Sequence, residues 1–127
     1  MEVLDHLKYS ENHEWIRVEG KRAIIGMTDF AQEELGTIVF VELPQVGDHL
    51  KAGEPFGSME SVKTVSEMYA PVSGKVVSVN TKLQDNPGVI NLSPYEHGWM
   101  IILEPDQAAD LDQLWDAERY RDTYGHE

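Results

Sequence analysis

Gly57-Ser58-Met59-Glu60-Ser61-Val62-Lys63-Thr64-Val65-Ser66-Glu67-Met68-Tyr69-Ala70-Pro71-Val72-Ser73-Gly74 is the stretch from which the fold of this chain is read. Two runs of strand-like residues, the first led in by Glu54-Pro55-Phe56, flank Glu60-Ser61-Val62-Lys63-Thr64, a pattern that predicts a hairpin with its tip at 60–64. Such a tip holds one amine, Lys63, out in solvent. Neither Gly nor Asn occurs between Glu60 and Thr64, which disfavours the primed turns of tight hairpins and leaves a type I turn or a longer loop.

On either side of the hairpin lie two similar segments, Val46-Gly47-Asp48-His49-Leu50-Lys51-Ala52-Gly53-Glu54 and Tyr69-Ala70-Pro71-Val72-Ser73-Gly74-Lys75-Val76. Each has the glycine punctuation of turns between short strands. A lysine at such a place is ordinarily a solubilising surface residue. A lysine amine is mostly protonated at neutral pH, so it enters chemistry only when its pKa is lowered or when an enzyme modifies it. The near-symmetry about Lys63 favours modification.

Toward the N-terminus, Met1 to Ser10 shows little periodicity and is expected along the surface. Glu14 to Glu19, a turn at Gly20-Lys21, and Arg22 to Gly26 predict a second hairpin, with Ile16 and Val18 on one buried face. Thr28 or Asp29 can cap a short helix with Phe30, Ala31 and Leu35 on its apolar side and Gly36 as its stop. Val39 to Leu43 alternates again and ends at Pro44, which has no N–H for a sheet ladder. After the central hairpin, Lys75 to Val79 and Met100 to Leu103 predict strands. Between them Asn80 to Gly98 is polar and turn-rich, with Asn86-Pro87-Gly88 its clearest turn.

Leu111, Leu114 and Trp115 then fall at helical spacing, with acids early and Arg119 and Arg121 late, which suits the helix dipole. One or two helices are expected over about 107–124, with Asp116 able to cap the second. The fold class is therefore mainly β: a small antiparallel sandwich or flattened barrel with a short internal helix and C-terminal helices. With 127 residues and no low-complexity linker, one domain over 1–127 is expected.

Composition narrows the chemistry. There is no cysteine, which excludes a disulfide scaffold, a thiolate zinc site and a cysteine nucleophile, so redox chemistry requires an attached group. The formal charge of −13 argues against nucleic acid and for basic, salt-sensitive partner surfaces. No apolar run approaches a membrane span and no signal-peptide pattern opens the chain, so a soluble, unexported protein is expected. His6, His13, His49, His97 and His126 are scattered without the spacing of a helical zinc site and are read as surface residues. Ser58, Ser61, Ser66 and Ser73 lack a Gly-x-Ser-x-Gly elbow, and Gly53, Gly57 and Gly74 fit neither a P-loop nor a dinucleotide fingerprint.

Glu60-Ser61-Val62-Lys63 followed by Tyr69-Ala70-Pro71-Val72-Ser73-Gly74 resembles the lipoyl-attachment region of the glycine cleavage system H proteins. The resemblance continues through Asn12-His13-Glu14-Trp15, Gly26 to Gln32, Val39 to Pro44, Asn86 to Asn91 and Ser93 to Trp99, nearly the whole chain. Thr64 stands where that family more often has alanine. The resemblance implies the lipoyl/biotinyl-carrier type of β fold and lipoate in amide linkage at Lys63, with Glu60, Ser61, Val62 and Thr64 as the recognised surroundings. It implies a carrier without catalysis of its own, serving glycine decarboxylase (P protein), aminomethyltransferase (T protein) and dihydrolipoyl dehydrogenase (L protein), and modified by a lipoyl ligase or a lipoyl/octanoyl transferase. The compartment would be bacterial cytoplasm or, for a eukaryotic mature chain, mitochondrial matrix.

The resemblance also implies that the aminomethyl-loaded arm folds against the body. Glu14 and Glu67 are the candidate carboxylates for that shelter, Asn12 a candidate acceptor, and ordinary surface acids the plainer alternative; aspartate is commoner in the family at the position of Glu67. Three other roles use the same lysine. A donor of lipoyl groups to 2-oxoacid dehydrogenases would leave no separate trace. A biotinyl carrier is disfavoured because Val62 and Thr64 replace the usual flanking methionines, and a lysine-dependent enzyme because a catalytic lysine needs burial.

Overall fold

Alternation over Glu14–Glu19 and Arg22–Met27 produces the hairpin of strands β2 and β3, preceded by the two-residue β1 at Lys8–Tyr9, in a computed structural model that describes residues 1–125. Ile16 pairs with Ile25 and both are fully buried. Val18 shares their side of the sheet but lies past the end of the core and is 41% exposed, contrary to the expectation that it is buried with Ile16. Helix α1, Asp29–Leu35, starts where the Thr28 hydroxyl accepts the Ala31 N–H, and stops at Gly36 with φ +78°, a conformation that favours glycine.

The remaining strands are β4 at Ile38–Glu42, β5 at His49–Leu50, β6 at Pro55–Ser61, β7 at Val65–Tyr69, β8 at Gly74–Val79 and β9 at Ile101–Pro105. A bulge between Ile38 and Phe40 breaks the expected alternation of β4, leaving both Val39 and Phe40 outside. The turn-rich segment after β8 contains two single-turn helices, α2 at Lys82–Asp85 and α3 at Val89–Leu92, which bury Leu83 and Ile90 completely. At the C-terminal end a 3₁₀ helix spans Ala108–Gln113, and α4 spans Ala117–Tyr124 with Asp116 capping the Arg119 N–H. Both fall within the predicted helical stretch.

All pairings are antiparallel. The larger sheet has the order β1-β2-β3-β9-β8-β5 and the smaller β4-β6-β7, and together they make an unclosed sandwich, the expected fold class. Its interior takes Ile16, Ile25, Val76, Ile101 and Leu103 from the larger sheet and Val41, Met59 and Met68 from the smaller. Each such side chain contributes about 1.5–3 kcal/mol by leaving water.

The far face of the larger sheet carries a second cluster: Leu7, Tyr9, Trp15, Ile24, Tyr95, Ala117 and Tyr120. The N-terminal segment is therefore not a surface strand of no consequence. Leu7 and Tyr9 are buried, Tyr9 exchanges backbone hydrogen bonds with Trp115, and its ring stacks on Tyr120 at 4.7 Å. Helix α4 closes this face because β3 is apolar on both sides and one sheet cannot cover it twice.

Candidate functional site

The hairpin tip is built by one hydroxyl. Ser61 Oγ accepts the backbone N–H groups of Lys63 and Thr64, each at 3.1 Å, while the Ser61 N–H donates to Thr64 O at 2.8 Å. Ser61 is buried and Lys63 exposed, so a serine turn takes the place of the absent glycine and stiffens the backbone under the lysine. Val62 N–H donates to Thr37 O at 3.1 Å, which fastens the tip to the entry of β4. Glu60, Val62 and Thr64 surround Lys63 and are exposed.

Lys63 does not stand alone in solvent. Its side chain passes over the end of α1, where a methyl group added to Gly36 would lie 3.2 Å from Lys63 Cε. Asn91 of α3 secures that end: its amide donates to Gly36 O at 2.9 Å and to Gln32 Oε1 at 3.0 Å, and its carbonyl accepts Ile38 N–H at 2.9 Å. Sequence reasoning placed Asn91 in a turn and missed this role, which only the meeting of α1, α3 and β4 creates.

From Leu35, beside Gly36, a groove of about 160 Å³ runs between α1 and β7. Met27, Phe30, Ala31 and Leu35 give it apolar walls, and Asn12, His13, Glu34 and Ser66 its polar points. Ser66 pairs with buried Met59 and faces inward, whereas Glu67 pairs with Ser58 on the opposite, outer face, within 3.3 Å of the Tyr69 hydroxyl. Asn12 thus lines the groove and Glu67 does not.

Glu14 is fully buried beside the groove. Its Oε1 accepts from Ser10 Oγ at 2.8 Å and its Oε2 from the Tyr69 N–H at 2.9 Å. Burial pushes the carboxyl from its ordinary 4.5 up to about 8, against the lowering effect of those two hydrogen bonds. An approaching cation would favour its ionised form.

Among the described residues, His13 is the one histidine that departs from the surface reading. Held at φ +66°, it is half-buried against Phe30 and Tyr124, with Nδ1 2.9 Å from the Tyr120 hydroxyl, which is itself 2.8 Å from Thr28 Oγ1. Burial lowers its pKa, offset in part by the charge of Glu34. His6, His49 and His97 are exposed as expected, and His126 lies outside the described residues. Glu34, His13 and Phe30 were not recognisable as groove residues in the sequence, because they come from two segments that converge only in the fold.

The family model described as glycine cleavage H-protein matches residues 7–127. The chain is similar to the glycine cleavage system H protein of Halalkalibacterium halodurans, 61% identical over 123 residues that cover 97% of this chain and 96% of that protein. It is 57% identical to the Bacillus subtilis (strain 168) glycine cleavage system H protein over 122 residues, 96% of each. Among solved structures, the crystal structure of a glycine cleavage system H protein from Mycobacterium marinum superposes with a TM-score of 0.89 at 38% identity, over 98% of this chain and 100% of that one.

Proposed function

Because this chain belongs to the glycine cleavage H-protein family, the lipoyl carriers of the glycine cleavage system, we propose that Lys63 bears lipoate in amide linkage and that the groove beside it shelters the loaded arm. The observation that carries this reading is the position of Lys63: an exposed amine on a turn braced by Ser61, with an apolar groove opening at its side. The family match also decides against the biotinyl reading.

Bound at Lys63, lipoate would supply a disulfide and dithiol pair, the chemistry needed to carry an aminomethyl carbon between glycine decarboxylase and aminomethyltransferase and to be reoxidised by dihydrolipoyl dehydrogenase. The protein contributes position. Ser61 fixes where the lysine leaves the body, and tethering gives each partner site a high effective concentration of the carried group. No side chain of the carrier takes part in bond-breaking. The relatives are bacterial, and we place the carrier in the cytoplasm.

Met27, Phe30, Ala31 and Leu35 keep water from the carried group, Asn12 lines the groove as an acceptor for its ammonium, and Glu14, buried next to the lining residue His13 but not itself in the lining, is the carboxyl that would pair with that charge. A buried cation needs a partner, and Glu14 is a carboxyl kept neutral by burial until a cation pairs with it. Glu67, which faces away, suits the shelter less well than Glu34, which lines the groove.

Intact-mass measurement before and after incubation with a lipoyl ligase, lipoate and ATP tests the attachment. One lipoyl addition is expected on the wild type, mapped to Lys63, and none on Lys63→Arg. Modification of that variant at another lysine would overturn the assignment.

A further inference from the structure

Pairing across the smaller sheet brings Phe40, from outside the stretch around Lys63, into one row with Glu60 and Val65 from within it. Phe40 on β4, Glu60 on β6 and Val65 on β7 lie directly opposite one another, and directly paired residues project from the same face. Phe40 is 52% and Val65 61% exposed, and Val62 at the tip 69%. The bulge in β4 turns Val39 outward as well. The next row on this face is Glu42, Ser58 and Glu67. Phe40 and Val65 therefore flank Glu60 in one row close to the lysine, with Glu42 and Glu67 in the next row, and none of these three acids is in an ion pair among the described residues.

We propose that this face, with Phe40 and Val65 on either side of Glu60, is the docking surface for the enzyme that acylates Lys63, and that this partner presents apolar contacts for the two side chains with Lys and Arg set to meet the acids between and beside them. The inference rests on lipoylation at Lys63. Charge disfavours a second copy of the chain as the occupant, since each carries a formal −13 and the contact would set acids against acids.

Reach selects the acylating enzyme over the enzymes of the catalytic cycle. The acylating enzyme must bring an activated carboxyl to Nζ itself, so its surface closes over whatever lies within one lysine side chain of the tip. Enzymes that act at the far end of an attached arm stand off by the arm's length. In the transfer, deprotonated Nζ attacks the carbonyl carbon of an acyl-adenylate and the amide C–N bond forms. The acyl–phosphate C–O bond breaks, AMP departs with that electron pair, and Nζ loses its second proton to solvent. The braced turn fixes the Lys63 backbone relative to Phe40 and Val65, so one docking pose brings the side chain within reach of the reaction.

Steady-state kcat/KM for lipoyl ligase with lipoate and ATP tests this on wild type, Phe40→Ser, Val65→Ser and the double variant. Val46→Ser is the control: an equally exposed valine, 64%, on the connection that leaves β4 away from the tip. The double variant is expected to lose about tenfold in kcat/KM, mainly through KM, with its melting temperature and the Val46→Ser kinetics unchanged. Once driven to full modification, the double variant is expected to turn over with dihydrolipoyl dehydrogenase at the wild-type rate. A modified wild type with an unimpaired double variant would overturn the docking surface alone. Equal loss with the dehydrogenase would overturn its assignment to the acylating enzyme, and a wild type that accepts no lipoyl group would overturn both readings.

Discussion

Glu14 Oε2 accepts the backbone N–H of Tyr69 at 2.9 Å, so a carboxyl on β2 of the larger sheet satisfies a donor on the edge of β7 in the smaller one. The bond spans the open side of the sandwich, where no further strand of the smaller sheet covers β7. It also explains why an acid is tolerated in full burial: both oxygens have donors, and burial holds the proton.

Stability is expected to depend on pH through Glu14. Burial raises its folded-state pKa from 4.5 to about 8, so across that window the native state keeps a proton that the unfolded chain has released. The associated stability is fully present below about pH 4.5 and is lost as pH rises through about 8, at up to about 1.4 kcal/mol per pH unit. Urea denaturation at intervals from pH 5 to 8.5 should show this fall in the wild type and a flatter profile in Glu14→Gln. Parallel profiles would mean that Glu14 does not titrate in that range.

Shelter of the carried group gives a kinetic readout. Spontaneous aminomethyl loss from the isolated, loaded carrier should be faster in Glu14→Ala than in wild type, at equal extent of lipoylation. Glu34→Ala should have a smaller effect, because Glu34 is exposed at the mouth of the groove. Equal rates in all three proteins would remove both acids from the shelter.

Ser61→Ala removes the acceptor for the Lys63 and Thr64 N–H groups. A cost of about 1–3 kcal/mol is expected in chemical denaturation, together with slower lipoylation, since the lysine then leaves from a looser turn. Gly is the informative companion: Ser61→Gly loosens the turn further and should be the slower substrate of the two. Unchanged modification rates in both would show that the turn need not be held.

Gly26→Ala tests the second core. A Cβ at Gly26 would lie 2.6 Å from two ring atoms of Trp15, a fully buried indole whose Nε1–H donates to Pro94 O at 2.8 Å. The ring is fully buried and tied by its Nε1–H, so moving it breaks packing or that bond, and a loss of roughly 1–3 kcal/mol is expected. A change under about 0.5 kcal/mol, the usual size for a surface site, would contradict this packing.

Partner association should weaken as salt rises, because the formal charge is −13 and Glu42, Glu60 and Glu67, on the sheet that carries the tip, are in no ion pair among the described residues. Measuring the apparent affinity for glycine decarboxylase between low and physiological ionic strength checks this. A flat profile would assign the encounter to apolar contacts.

The sequence by itself determined the strands other than the two-residue β1 and β5, the cap at Thr28, the stop at Gly36 and the exposed lysine between β6 and β7, because each is written in adjacent residues by a period of two, a hydroxyl or a glycine. Turn chemistry was legible only in part: Ser61 lay within the predicted tip, but its two accepted bonds depend on a backbone bend that no residue type there demands. The tertiary structure decided the rest. Leu7, Tyr9 and His13 read as surface residues because their apolar partners, Trp115, Tyr120 and Tyr124, are about a hundred positions away. The facing of Ser66 inward and Glu67 outward was fixed by pairing register with Met59 and Ser58, and a shift of one residue would exchange them. The groove exists only where α1, β7 and the turn before β2 meet, and a surface made by three segments has no periodicity in any of them.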